Sequence, residues 1–285
     1  MTTNTGWPEI IEAVILDLDG TVYRGDAPIP DAIEFIRCAI RAGLGLAFVT
    51  NNSTRTRSQI REKLRGMDVD VSELSIINSS WATGAYLSHN FQIGATALVV
   101  GEESLRNDIA RSGFKVVESG PANIVVVGLD RAITYRTITS ATSALLGGAA
   151  FVATNADPLL PVGDALTPGA GAIVAAIATA SGQTPTIVGK PSADMPKLAL
   201  KYLGTQPSRT ILVGDQVDTD VVSGASAGLF TVLVATGVPT AGQGGAGPDR
   251  RIASLLDIPL HSCRRPLAWS VGPESDPQDG DLVGQ

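Results

Sequence analysis

Unbroken apolar runs in this chain are short, and several of them stop at polar groups. Ala13-Val14-Ile15-Leu16 passes directly into Asp17-Leu18-Asp19-Gly20-Thr21. Four apolar residues in a row predict a strand buried on both faces. From Asp31 to Arg41 the spacing changes, with Ile33, Ile36 and Ile40 at helical intervals between Pro30 and Gly43. Those two residues suit a helix start and a helix end. Leu44 to Val49 then predicts a second strand, ending in Thr50-Asn51-Asn52-Ser53. Strand, helix and strand in this rhythm predict an α/β fold with a parallel sheet and right-handed crossovers.

A polar, basic helix is expected at 55–65, a short strand at 75–77 and a helix at 80–89. The pattern then starts afresh. Strands are expected at 97–100, 124–127 and 151–153, and helices at 103–112 and 135–146, enough for an inserted domain with its own sheet. Thr186 to Val188 reads as a strand on which the first pattern resumes, ending in Gly189-Lys190-Pro191. A helix at 195–203, a buried strand at 210–213 ending in Gly214-Asp215, a small-residue helix at 220–227 and a strand at 230–234 follow. Ile252 to Leu256 reads as a last short helix, and 263–285 as a flexible tail.

The totals narrow this picture. With 285 residues, 44% hydrophobic and 17% charged, the chain is globular and long enough for two domains. A net charge of −7 gives no basic footprint for nucleic acid or an anionic membrane surface. An anionic substrate would therefore need locally placed cations or a metal. Two distant cysteines, Cys38 and Cys263, make no disulfide framework, which fits a reducing compartment. Cys38, mid-helix, reads as a small core residue. His89 and His261 form no zinc set with them. The N-terminal stretch lacks the pattern of a signal peptide, and the apolar segment at 170–180 is too short to cross a bilayer. A cytoplasmic protein without membrane association is expected.

Four predicted strands end in chemistry: Asp17 and Asp19, Thr50 and Asn51, Lys190, and Asp215 with Asp220. In an open parallel sheet, ligands bind beyond the carboxyl ends of the strands. Oxygen ligands of this kind favour Mg²⁺. Asp17 is the candidate nucleophile, since a carboxylate can take a phosphoryl group as an aspartyl-phosphate. Asp19 is the candidate acid and base, and Lys190 a cation for the phosphoryl oxygens. Gly20, Thr50, Asn51 and Asn52 are candidates to hold the phosphoryl group. Asp17, Asp19, Asp215 and Asp220 are the candidate metal ligands. The pattern Gly224-Ala225-Ser226-Ala227-Gly228 matches a nucleophile elbow, but it falls inside a helical segment and not at a strand-to-helix turn.

Asp17-Leu18-Asp19-Gly20-Thr21, Thr50-Asn51-Asn52-Ser53, Gly189-Lys190-Pro191 and Gly214-Asp215 to Asp220 resemble the four ordered motifs of the haloacid dehalogenase superfamily. More narrowly, they resemble its phosphatase branch with a large α/β cap between the second and third motifs. The resemblance implies a Rossmann-like, doubly wound parallel sheet at 1–83 and 183–262, with the cap at 84–182. It also implies Mg²⁺-dependent hydrolysis of a small phosphorylated metabolite, leaving-group selection by the cap, and dimers formed through it. Thr154-Asn155-Ala156-Asp157 and Leu166-Thr167-Pro168-Gly169-Ala170-Gly171 resemble cap segments of that branch, which makes Asn155 and Asp157 candidate substrate contacts. The position after Asp215 is Gln216, where relatives often have a basic or amide residue, which leaves the four motif roles intact and says nothing about substrate. The same chemistry would serve a phosphomutase or phosphotransferase. A non-catalytic binding protein is disfavoured, because no proposed catalytic role is vacant.

Overall fold

The computed structural model describes residues 6–162, 165–236 and 247–259. The described residues fall into two units. One contains the residues up to Thr50, Ser58–Ile77 and those from Lys190 on; the other contains Asn51–Arg57 and Asn78–Gly189. The chain thus changes unit directly after Thr50 and directly before Lys190.

The first unit is built on a six-stranded sheet in the order Arg250–Ile252, Phe230–Val234, Thr210–Gly214, Ala13–Asp17, Gly45–Thr50, Ile76–Asn78. From Arg250–Ile252 to Gly45–Thr50 every pairing is parallel. Ala13–Asp17 and Gly45–Thr50 are buried at every residue, as continuous apolar strands covered on both faces should be. Ala13–Asp17 is central, and the chain leaves it first to one side and later returns on the other. That reversal creates the crevice in which doubly wound sheets bind ligands.

The first helix, Pro30–Ala42, begins on a proline and ends at Gly43 in the left-handed conformation. Its buried face is Ala32, Ile33, Phe35, Ile36 and Ala39, while Ile40 is exposed. The apolar stripe therefore closes on Ala39. Cys38 is only partly buried and sits beside Glu34 and Arg41, not in the core. Strand and helix cores meet in one cluster that includes Leu16, Phe35, Phe48, Ile60 and Val213.

The second unit carries a five-stranded, all-parallel sheet in the order Thr186–Ile187, Ala150–Ala153, Ile124–Val127, Thr96–Val100, Lys115–Val117. Its core packs Leu98, Val125, Val127, Leu145, Phe151 and Ile177. Two strands, Leu159–Val162 and Ala165–Pro168, form an antiparallel hairpin. Thr186–Ile187, expected to resume the first sheet, pairs instead with Ala150–Ala153. At the other end, Arg250–Ile252 is an edge strand followed by a 3₁₀ turn at Leu255–Asp257, where the sequence suggested a helix. The expected tail at 263–285, with Cys263, and also His261, lie outside the described residues. Among the described residues, no helix is long and apolar enough to cross a membrane.

Candidate active site

Sheet register brings three strand ends to one level. Leu16 pairs with Val213 on one side and Phe48 on the other, and Asp17 pairs with Val49. Thr50 and Asp215 therefore each stand just past the level of Asp17. Thr50 closes its strand with 3% exposure. Asp215 follows Gly214, and a one-turn π-helix at Val217–Val221 carries Asp220 back over the strand end. Such π turns concentrate at functional sites. Gly214 makes that return possible, because a Cβ there would lie 2.2 Å from the Asp220 carboxyl carbon.

Lys190 joins this group from the start of the chain's return to the first unit. Its Nζ donates to Asp17 Oδ1 at 2.5 Å and to Asp220 Oδ1 at 2.6 Å. All three side chains are nearly inaccessible, with relative exposures of 3% for Lys190, 5% for Asp17 and 1% for Asp220. The second oxygen of Asp220 accepts the Gln216 N–H at 3.0 Å. One oxygen from each of Asp17, Asp215 and Asp220 lies within 4.8 Å of the other two. Asp19 is exposed and its carboxylate stands outside this trio, so the two acids of the first motif do not share one environment.

The electrostatics show what the cluster lacks. Burial pushes the Asp17 carboxyl well above its ordinary range, the nearby Asp220 and Asp215 charges add to that, and Lys190 opposes it. Burial works against the Lys190 ammonium, but Asp17 and Asp220 outweigh it and hold the ammonium above its usual range. Asp215 is pushed up to about 7, first by burial and then by Asp220. Its Oδ1 is buried without a hydrogen-bond partner. Three carboxylates against one ammonium leave two surplus negative charges. Hard oxygen donors, an orphaned carboxylate oxygen and a deficit of two positive charges fit a divalent cation such as Mg²⁺.

A further group of sequence-selected residues meets within the second unit. Asn51 Nδ2 donates to both oxygens of Asp157, at 3.2 and 3.0 Å. The Asn51 carbonyl accepts from Asn155 Nδ2 at 2.8 Å and from the Ser79 hydroxyl at 2.7 Å. Asn155 Oδ1 in turn accepts the Asp157 N–H at 3.1 Å. Asn52 Oδ1 accepts from the N–H groups of Thr54 and Arg55, shaping its own loop. Ser79 was not singled out from the sequence. At the start of a helix it reads as an ordinary N-terminal serine, and only the fold gives it a partner 28 residues away.

Two family models match the chain: haloacid dehalogenase-like hydrolase over residues 14–115 and HAD-hydrolase-like over 187–258. A 5'-nucleotidase, YutF, of Bacillus subtilis is 38% identical over 79% of this chain and 87% of its own length. The chain belongs to the haloacid dehalogenase-like hydrolases. It is therefore an enzyme of a hydrolase family, as the four motifs implied. An acid sugar phosphatase of Staphylococcus aureus is 37% identical over 80% of this chain and 88% of its own length. The solved p-nitrophenyl phosphatase of Archaeoglobus fulgidus superposes with a TM-score of 0.82 at 34% identity, covering 87% of this chain and 98% of that one. The parallel-sheet core with a separate α/β unit is thus the family's architecture as well as this chain's.

Proposed function

We propose that the protein is a Mg²⁺-dependent phosphatase that hydrolyses a small phosphomonoester through an aspartyl-phosphate on Asp17. The observation that carries this reading is the Asp17, Asp215 and Asp220 trio closed by Lys190 at the switch point of the sheet. The names of the relatives support it, since the similar proteins are a 5'-nucleotidase, an acid sugar phosphatase and a p-nitrophenyl phosphatase.

Asp17, Asp215 and Asp220 would hold the cation. When bound, it neutralises the phosphoryl oxygens on which transition-state charge collects. Lys190 holds Asp17 through the 2.5 Å contact to Oδ1, which would leave its other carboxylate oxygen for attack on phosphorus. Asp17 attacks, a bond to phosphorus forms, and the ester P–O bond breaks with its electron pair on the leaving oxygen. Asp19, exposed and just beyond the strand end, gives that oxygen a proton. The resulting carboxylate then takes a proton from a water that attacks the aspartyl-phosphate, which frees phosphate and restores Asp17. Thr50, at the end of the neighbouring strand, would hold the phosphoryl group. The second unit would select the leaving group, and within it Asp157 and Asn155 would hold Asn51 in place. Asp17→Asn tests the reading. Phosphate release from p-nitrophenyl phosphate should vanish while the thermal midpoint stays within a few degrees of wild type, and full turnover in that variant would refute the nucleophile.

A further inference from the structure

The turn that follows Asp17 is secured from far outside its own stretch of chain. Within the turn, the N–H groups of Thr21, Val22 and Tyr23 converge on the Leu18 carbonyl, and the Gly20 N–H donates to the Tyr23 carbonyl at 2.8 Å. None of these bonds holds the Gly20 carbonyl. The Thr236 hydroxyl does, donating to it at 2.7 Å across 216 residues. The Thr236 carbonyl in turn accepts from the Arg24 guanidinium, through Nε at 2.6 Å and through Nη2. One residue thus grips the turn at both ends, at Gly20 and at Arg24.

What this grip holds is a wall of the acidic cluster. Gly20 has φ +90, a conformation that side chains rarely adopt, and a Cβ on it would lie 2.3 Å from Asp215 Oδ2. The glycine backbone therefore lies flush against the carboxylate whose other oxygen is buried and unpartnered. If the Gly20 peptide rotates, Asp215 gains room to turn away from Asp17 and Asp220. Thr236 follows the last long strand, Phe230–Val234, and belongs to none of the four motifs. We propose that Thr236 is a positioning residue of the metal site, which holds the Gly20 peptide against Asp215 and so keeps the carboxylate trio converged.

The proposal rests on the metal-dependent reading above, and its test is chosen to be separable from it. Thr236→Val removes the hydroxyl and nearly keeps the shape; Thr236→Ser keeps the hydroxyl and removes the methyl group. Mg²⁺ is titrated calorimetrically into the metal-free full chain of each, and the thermal midpoint of each metal-free protein is recorded. Thr236→Val should weaken Mg²⁺ binding about fivefold, the scale of one neutral hydrogen bond, and Thr236→Ser should return to within about twofold of wild type. Arg24→Met, which opens the second grip and leaves the hydroxyl, should weaken binding about two- to threefold. Wild-type affinity in Thr236→Val overturns the proposal, as does a Thr236→Ser variant that binds as weakly as Thr236→Val. Should Thr236→Val not fold, Arg24→Met and Thr236→Ser decide on the same terms. If the wild type hydrolyses no phosphomonoester while the Val and Ser variants still separate in Mg²⁺ affinity, the phosphatase reading falls and the role of Thr236 stands.

Discussion

Raising the pH from about 6 to about 8 should recharge Asp215 and with it the metal site. Burial and then the Asp220 charge push this carboxyl up to about 7 in the folded protein, against an ordinary value of 3.8. At about pH 6 roughly one molecule in ten carries Asp215 ionised, and at about pH 8 roughly nine in ten. Because a cation needs the deprotonated ligand, apparent Mg²⁺ affinity should rise about tenfold over that interval. A carboxylate at its ordinary value would be ionised throughout and would give no change. Calorimetry in two buffers of different ionisation enthalpy measures both quantities, and near pH 7 Asp215 should contribute about half a proton to the release on binding. Affinity that is flat with pH, with no proton released, would refute the account of Asp215. The same shift has a stability signature in the metal-free protein. A carboxyl whose folded value is raised lends stability that is full below its unfolded value and is lost as pH rises through the folded one. The Asp215 contribution should therefore decline between about pH 4 and about pH 7, by up to a few kcal/mol. Asp17, also raised by burial, adds loss of the same sign. Saturating Mg²⁺ should flatten this decline.

Lys190→Met leaves the buried Asp17 and Asp220 carboxylates without their cation, and should cost about 3–5 kcal/mol of stability at neutral pH, read by denaturant unfolding. An unchanged midpoint would show that the pair is not held as described. Gly20→Ala places a Cβ 2.3 Å from Asp215 Oδ2 at φ +90, so Mg²⁺ affinity should fall by more than tenfold, against the fivefold of Thr236→Val. Asp157→Ala frees the Asn51 carboxamide and should weaken use of every phosphomonoester in similar proportion. Loss confined to one class of ester would make Asp157 a substrate contact instead.

The central strand was legible because a run of apolar residues that stops at a polar group admits few other readings, and the neighbouring strands Gly45–Thr50, which closes on a threonine, and Thr210–Gly214, which is followed by Asp215, have the same build. Pairing was less legible. Thr186–Ile187 has the composition of a core strand, yet its hydrogen bonds go to Ala150–Ala153, and a strand's own residues do not encode which edge it meets. On an extended chain the i, i+2 spacing of Asp17 and Asp19 would put both on one side, but the strand ends at Asp17, and the turn that follows leaves Asp19 exposed. The hairpin of Leu159–Val162 and Ala165–Pro168 carries little strand signal, because Pro161 and Pro168 interrupt it and two of its three leucines, Leu159 and Leu166, face outward. Thr236 carries no local signal at all, since its partner is 216 residues away.

The pairing of the central strand also bears on how the chain is made. Ala13–Asp17 finds its neighbour Gly45–Thr50 early in synthesis, but its other neighbour, Thr210–Gly214, emerges only after the whole second unit. Glu12 and Arg209, which meet beside that pairing, are 197 residues apart. Until then this buried central strand has one edge without a partner, the form in which nascent chains associate with one another. A second unit that collapses on its own core before the chain returns would shorten the loop to be closed, and so the time for which that edge stands open.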